Sequence, residues 1–252
     1  MPGALVVLTD RVACSGAGHD LVAVCVAAVS AGADAVLVRE KDLPLAERVA
    51  LVTRVAQAVG SERVLVAETR APDPRRVARW ARLEVAGLHL AGGVTAGVGA
   101  DDPVTPDPLV TALPWGRSCH TVAEVCGAVR QGGSWATVSP VAASPSKPGY
   151  GPALGVDGVR ALAAAASVGA AGSVGSGRSL ARAGSAGGDA LARGPLPLLA
   201  LGGVDASTVA TWLAAGAAGV AVMGAVMAAA DPGAVVSALV QALAEAAPAA
   251  VG

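Results

Sequence analysis

Eight short apolar runs recur along the chain at intervals of about one βα unit, and no other feature limits its folding options as strongly. They are ALVVL (4–8), AVLV (35–38), VLVA (64–67), GLHL (87–90), WGRSC (115–119), WATV (135–138), LLAL (198–201) and GVAV (219–222). Near-continuous apolar runs suit parallel strands covered on both faces, where an exposed face would demand alternation. Between them the spacing predicts helices over 21–31, 45–59, 73–83, 122–130, 156–166, 206–215 and 232–246. Asp157 and Asp205 stand near helix starts as caps or first-turn carboxylates, and Gly32 and Gly216 follow helices as stops.

Strands alternating with helices predict an α/β fold, and the count of eight favours a single (β/α)8 TIM barrel spanning residues 1–252. An open doubly wound sheet is the alternative. The closed barrel is preferred because polar residues cluster just after the strands, at 10–11, 39–41, 68–70, 118–120, 139 and 202–203. Those are strand C-terminal ends, where barrel active sites are built. Two segments break the pattern. Residues 91–106 form a Gly-rich loop after the fourth strand, and residues 167–194 read as a low-complexity Gly/Ser/Ala insertion without function.

Charge and cysteine usage narrow the function class. A formal net charge of −1, with 15% charged residues, carries neither a nucleic-acid footprint nor a polybasic membrane surface. Apolar runs are interrupted well before the roughly 18 residues a membrane span needs. The start, MPGALVVLTDR, reads as a first strand and not as a signal peptide. Cys14, Cys25, Cys119 and Cys126 show no CxxC spacing and no completing His or acidic cluster, so reduced buried thiols in a cytoplasmic protein are expected. The chain has no Phe, Ile or Asn, its only lysines are Lys41 and Lys147, and its only tyrosine is Tyr150. In so biased a composition, a rare residue marks a position worth inspecting.

Several strand-end groups suit a phosphorylated ligand. Gly202, Gly203 and Gly224 follow the seventh and eighth strands, where barrels bind phosphate through backbone N–H groups. Arg39 and Lys41 flank Glu40 after the second strand and on an extended segment point to one side, as a phosphate or diphosphate requires. The plainer reading is a solvated salt-bridge cluster. The segment 139–152 carries Ser144, Ser146 and Lys147, a hydroxyl–hydroxyl–ammonium set that could close over an anion; a Pro-stiffened turn is the plainer reading. Among three histidines, His19 reads as a surface residue and His89 as a core or lumen residue. His120 lies at a strand end, two residues after Ser118, with an ordinary pKa suited to proton transfer near neutrality. A structural role for it stays open.

Taken in order, VLVREK (36–41), GLHL (87–90), GRSCH (116–120), SPVAASPSKPGYGP (139–152), LLALGGV (198–204) and GVAVMGAV (219–226) resemble the thiamine phosphate synthase superfamily, which includes the TenI thiazole tautomerases. The resemblance runs from LVVLTDR (5–11) to GAAGVAVMGAV (216–226), leaving out 167–194. It implies a (β/α)8 barrel of thiamine biosynthesis. In the synthases a diphosphorylated aminopyrimidine is joined to a thiazole phosphate with release of diphosphate, helped by Mg²⁺. Carried over, Arg39, Lys41, Ser118 and Lys147 would hold the diphosphate. Ser144, Pro145 and Ser146 would meet the thiazole phosphate, and Gly203, Met223 and Gly224 would cradle its phosphate.

The sequence departs from the synthase pattern at the pyrimidine and metal end. Leu37 stands where synthases have a Gln, and Glu68-Thr69-Arg70 where they have Asn-Asp-Arg. AGGV (91–94) offers no carboxylate until Asp101 and Asp102. These departures resemble the tautomerase branch, which implies His120 as the acid–base residue acting on a carboxylated thiazole phosphate, with no metal. The alternatives are a synthase whose Mg²⁺ site is rebuilt from Glu68 and Asp101 or Asp102, and a non-catalytic protein that binds thiazole phosphate. The expected partner is a small phosphorylated thiazole, with no nucleic acid and no membrane; the sequence also admits a homo-oligomer.

Overall fold

The computed structural model describes residues 4–69, 73–92, 113–143, 151–168 and 194–246. Its eight parallel strands close into one barrel in chain order, with β8 pairing back onto β1. The strands are β1 (Ala4–Leu8), β2 (Ala35–Val38), β3 (Val64–Glu68), β4 (Gly87–Leu90), β5 (Trp115–Cys119), β6 (Trp135–Val138), β7 (Leu198–Leu201) and β8 (Gly219–Val222). Seven match the apolar runs residue for residue. β3 runs one residue further, because Glu68 stays in register with Leu90. The (β/α)8 expectation therefore holds, and the open sheet is excluded by the β1–β8 ladder.

The helices are α1 (Arg11–Gly16), α2 (Leu21–Ser30), α3 (Leu45–Val59), α4 (Pro74–Arg82), α5 (Val122–Arg130), α6 (Gly155–Val168), α7 (Val209–Ala214), α8 (Gly224–Met227) and α9 (Pro232–Ala246). Their starts have local chemical causes. Asp10 accepts from Val12 and Ala13 N–H to cap α1, and Asp73 accepts from Arg75 N–H with Pro74 in the first turn of α4. Thr121 and Glu124 form a reciprocal capping box on α5. α7 starts later than the apolar pattern predicts, because Asp205 folds 205–208 into a turn. Its carboxylate accepts from Ser207 N–H, Ser207 Oγ–H and Thr208 N–H, and these bonds hold its pKa below the usual range. The short α1 and α8, of 6 and 4 residues, carry too few positions for a periodic signal in the sequence.

Each strand sorts its side chains into two shells. Val6, Leu8, Ala35, Leu37, Leu65, Ala67, Trp135, Leu199 and Ala221 fill the lumen. The residues between them, such as Val7, Val36, Val66, Leu88, Ala136 and Val220, face the helices. The parity of a residue within its strand thus decides whether it can reach a ligand at the barrel mouth. All four cysteines are free, and Cys14, Cys25 and Cys119 are buried; burial pushes the Cys25 and Cys119 thiols up to about 12. They are protonated packing groups at neutral pH. Among the described residues no helix is long and apolar enough to cross a membrane.

Candidate functional site

The barrel mouth gathers part of the residue set expected from the sequence. Arg39, one residue past β2, donates its backbone N–H to the buried Thr9 Oγ1 at 2.9 Å. Its guanidinium Nη1 lies 3.8 Å from Met223 Sδ, at the end of β8. Since β1 lies between β2 and β8, the Arg39 side chain spans the end of a strand and joins two predicted groups. Glu40 is buried and accepts from Arg11 N–H at 3.1 Å. It therefore serves the β1–α1 connection and does not neutralise Arg39 or Lys41 by pairing directly.

Lys41 remains exposed to solvent, yet its pKa is lowered, first by desolvation and then by the charges of Arg39 and Arg48; Glu68 acts in the opposite direction. Two cations whose charges disfavour one another suit an anionic ligand. Leu37, at the same parity one turn of the pleat below Arg39, fills the lumen with an aliphatic group and can form no hydrogen bond there.

Below the mouth, β4, β5 and β6 carry a buried polar group in the lumen. His89 Nε2 lies 3.1 Å from Ser118 Oγ and 3.2 Å from Thr137 Oγ1, while Trp135 donates its indole N–H to His89 Nδ1 at 3.1 Å. The ring planes of His89 and Trp135 lie 18° apart with centroids 6.3 Å apart, the near-coplanar, edge-to-edge arrangement that this N–H···N bond needs. Two glycines make this possible. A Cβ on Gly116 would lie 2.1 Å from Trp135 Nε1, and one on Gly87 would lie 2.9 Å from the far edge of the same ring. Burial, reinforced by the Lys41 charge, pushes the His89 pKa down to about 3, so the imidazole is neutral.

His120 follows β5 and is half-buried. Its Nδ1 lies 2.5 Å from the Ser139 carbonyl, which can only accept, so Nδ1 carries the proton. In the neutral ring, Nε2 then presents a lone pair, the state a general base needs. The Glu124 carboxylate accepts from the His120 backbone N–H at 2.6 Å and holds the strand end in place.

The glycines after β7 are also constrained by the fold around them. Gly202 and Gly203 have φ of 97° and 67°, and the segment after β6 packs directly against them. Ala142 N–H donates to Gly202 O at 3.0 Å, and a Cβ on Gly203 would lie 2.5 Å from Ala143 O. Their lack of side chains is thus already required by the fold. Met223 leads into the short α8, whose first residue is Gly224; Val226 and Met227 N–H donate to the Met223 carbonyl at 3.0 and 2.9 Å, which leaves the N–H groups of Gly224 and Ala225 for an anion.

Glu68 is turned the wrong way for a lumen ligand. It shares the parity of Val64 and Val66, so it points out of the barrel. There it pairs with Arg48 at 3.1 Å and Arg76 at 3.4 Å, and accepts from Trp80 Nε1 at 2.8 Å. A rebuilt metal site through Glu68 would have to break all three. Among the described residues no group of three or more His, Cys, Asp or Glu could hold a metal ion. Asp101, Asp102, Ser144, Ser146 and Lys147, like Arg70 and most of 167–194, lie outside the described residues.

Trp135 and Thr137, which hold His89 in the lumen, were not among the candidate residues read from the sequence. The signal was present in the glycines at 87 and 116, two strand positions left empty opposite an aromatic side chain. A groove of about 440 Å³ between α6, β7 and α7, lined by Ser167, Leu196 and Gly216 among others, opens at the opposite end of the barrel from His120. It holds none of the groups above.

The sequence model of the family described as thiamine monophosphate synthase matches residues 5–187. A thiamine-phosphate synthase of Roseiflexus castenholzii is 30% identical over 226 residues, covering 88% of this chain and 79% of the relative. One from Salinispora tropica is 37% identical over 147 residues, covering 57% of this chain and 56% of the relative. The solved thiamine phosphate pyrophosphorylase of Pyrococcus furiosus superposes with a TM-score of 0.67 over 96% of each chain, at 19% identity, a likeness of fold.

Proposed function

The chain belongs to the thiamine monophosphate synthase family, and from that premise we propose that it is a transferase of thiamine biosynthesis, joining a diphosphorylated aminopyrimidine to a thiazole phosphate with release of diphosphate. The names of the relatives favour this reaction over the tautomerase expected from the sequence departures. The observation that carries it is the cation pair after β2: Arg39 reaches Met223 at the barrel mouth, and its charge, after desolvation, lowers the Lys41 pKa. A tautomerase has no diphosphate to hold.

In this reading Arg39, Lys41 and Ser118 bind the diphosphate, with Lys147 a further cation for it. As the carbon–oxygen bond breaks, the electron pair leaves with the diphosphate, and fixed positive charge stabilises it. The thiazole nitrogen forms the new bond. The first turn of α8 and the Gly203 turn hold the thiazole phosphate, together with Ser144 and Ser146. The Mg²⁺ that the family uses finds a poor fit in the residues described. Glu68 is ion-paired on the outer face and Thr69 replaces the expected carboxylate, so no step is assigned to a metal.

One observation favours a second reading, a metal-independent thiazole tautomerase. His120 is held by Ser139 O in the tautomer that leaves Nε2 free as a base. Turnover of the purified chain with the pyrimidine diphosphate and thiazole phosphate carboxylate, in Mg²⁺ and in EDTA, separates the two. Thiamine phosphate formation supports the transferase. Aromatisation of the thiazole without coupling, lost by roughly 100- to 10,000-fold in His120→Ala, moves the assignment to the tautomerase. No turnover of either kind leaves a thiazole-phosphate-binding protein.

A further inference from the structure

We propose that His89 is a positioning residue, locked in its Nε2–H tautomer by Trp135 so that it aims the Ser118 hydroxyl hydrogen at an anionic ligand in the barrel mouth. The inference rests on the reading of Ser118 as part of the diphosphate site.

The argument starts from what each atom can do. An indole N–H only donates. Trp135 Nε1 points at His89 Nδ1 at 3.1 Å, so Nδ1 must present its lone pair. A neutral imidazole then carries its one proton on Nε2. That proton is shared between Ser118 Oγ at 3.1 Å and Thr137 Oγ1 at 3.2 Å, and both oxygens act as acceptors. Neither hydroxyl can donate to His89, so each must turn its own hydrogen elsewhere. Ser118 lies next to the end of β5 and is only partly buried, so its hydrogen is available to a ligand above it. In the opposite tautomer the ring would accept from Ser118 and present the anion with oxygen lone pairs, a repulsive contact.

The fold invests in this arrangement. Trp135 fits over the barrel floor only because positions 87 and 116 are glycine. A second proton on His89 would set Nδ1–H against the indole N–H, in a ring that is 5% exposed. The interaction is therefore a fixed dipole relay, from indole to imidazole to hydroxyl, that holds one orientation without titrating.

The test uses the full chain with inorganic diphosphate as the probe, together with ¹⁵N NMR of the histidine rings. The wild-type His89 is expected to show a neutral Nε2–H ring across roughly pH 5 to 8. His89→Leu, of similar bulk but without the donor, is expected to weaken diphosphate binding about tenfold, as for a lost hydrogen bond to a charged group. His89→Gln keeps an N–H donor and is expected to stay within about threefold of wild type. In a Ser118→Ala background, His89→Leu should cause no further loss. An Nδ1–H tautomer, or His89→Leu binding diphosphate as wild type does, overturns the inference alone. If His89→Leu does not fold, the wild-type tautomer and a tenfold loss in His89→Gln remain able to overturn it. Wild-type protein with no affinity for diphosphate overturns the functional reading, and this inference with it.

Discussion

Inside the barrel, beside β4, a neutral imidazole is held between an indole and two hydroxyls. Outside it, at the end of β3, a carboxylate is held between two guanidinium groups and another indole. The two clusters lie on paired strands, and His89 and Glu68 are 5% and 0% exposed. Burial has been resolved in opposite ways. In the lumen it removes the charge, pushing His89 down to about 3. On the outer face it retains charge: burial lowers the Arg48 pKa, Glu68 raises it, and the guanidinium also sits 5.3 Å over the Trp80 ring. Strand parity separates a group that can address a ligand from one that can only tie helices to the barrel.

The comparison breaks most sharply at Glu68. Glu68→Ala leaves Arg48 buried without its carboxylate, and about 3–5 kcal/mol of stability should be lost in urea unfolding. Replacing both members, as Arg48→Met with Glu68→Leu, should recover most of it. If Glu68 instead holds a metal, the loss would vanish in EDTA.

On the lumen side the corresponding effect depends on pH. The folded-state pKa of His89 lies below its unfolded value, so the unfolded chain binds the proton first as pH falls. The stabilisation is fully present above the unfolded value of about 6.5 and drains at about 1.4 kcal/mol per pH unit between there and about pH 3. Urea unfolding at pH 7 and pH 5 measures the slope, which His89→Gln should remove. An unchanged slope in that variant would show that His89 carries no proton linkage.

Gly116→Ala tests the packing beneath the lumen cluster. Its Cβ would overlap Trp135 Nε1, so the indole must shift, at a cost of about 1–3 kcal/mol in thermal unfolding. His89 should lose its Nε2–H signature in the same variant. A smaller effect is expected at the rim. Thr121→Ala removes the capping box of α5 and should cost about 1 kcal/mol, with the lumen cluster untouched.

Most of the architecture was legible because period and spacing are local properties. The eight apolar runs became the eight strands, and α3, α5 and α9 match their predicted bounds. The site was legible in part. Arg39 and Met223, assigned from the sequence to different ends of the ligand, lie 3.8 Å apart at the barrel mouth, and His120 stands half-buried at the end of β5. Glu68 was misplaced because β3 runs one residue further than the apolar run, and that extra residue falls on the outward parity. The glycines at 202 and 203 read as an anion cradle, and what the sequence did not show is that the segment after β6 packs where their side chains would be.

The sequence by itself determined the fold class, the bounds of seven of the eight strands and the family, since apolar periodicity, turn residues and motif order act over neighbouring positions. Only the tertiary structure decided which groups share an environment. Whether His89 is charged, which of its nitrogens carries the proton, and whether Glu68 faces a ligand or a guanidinium depend on residues 8 to 48 positions away. Those distances collapse only when the barrel closes, and the closure also removes the water that would otherwise have solvated each group separately.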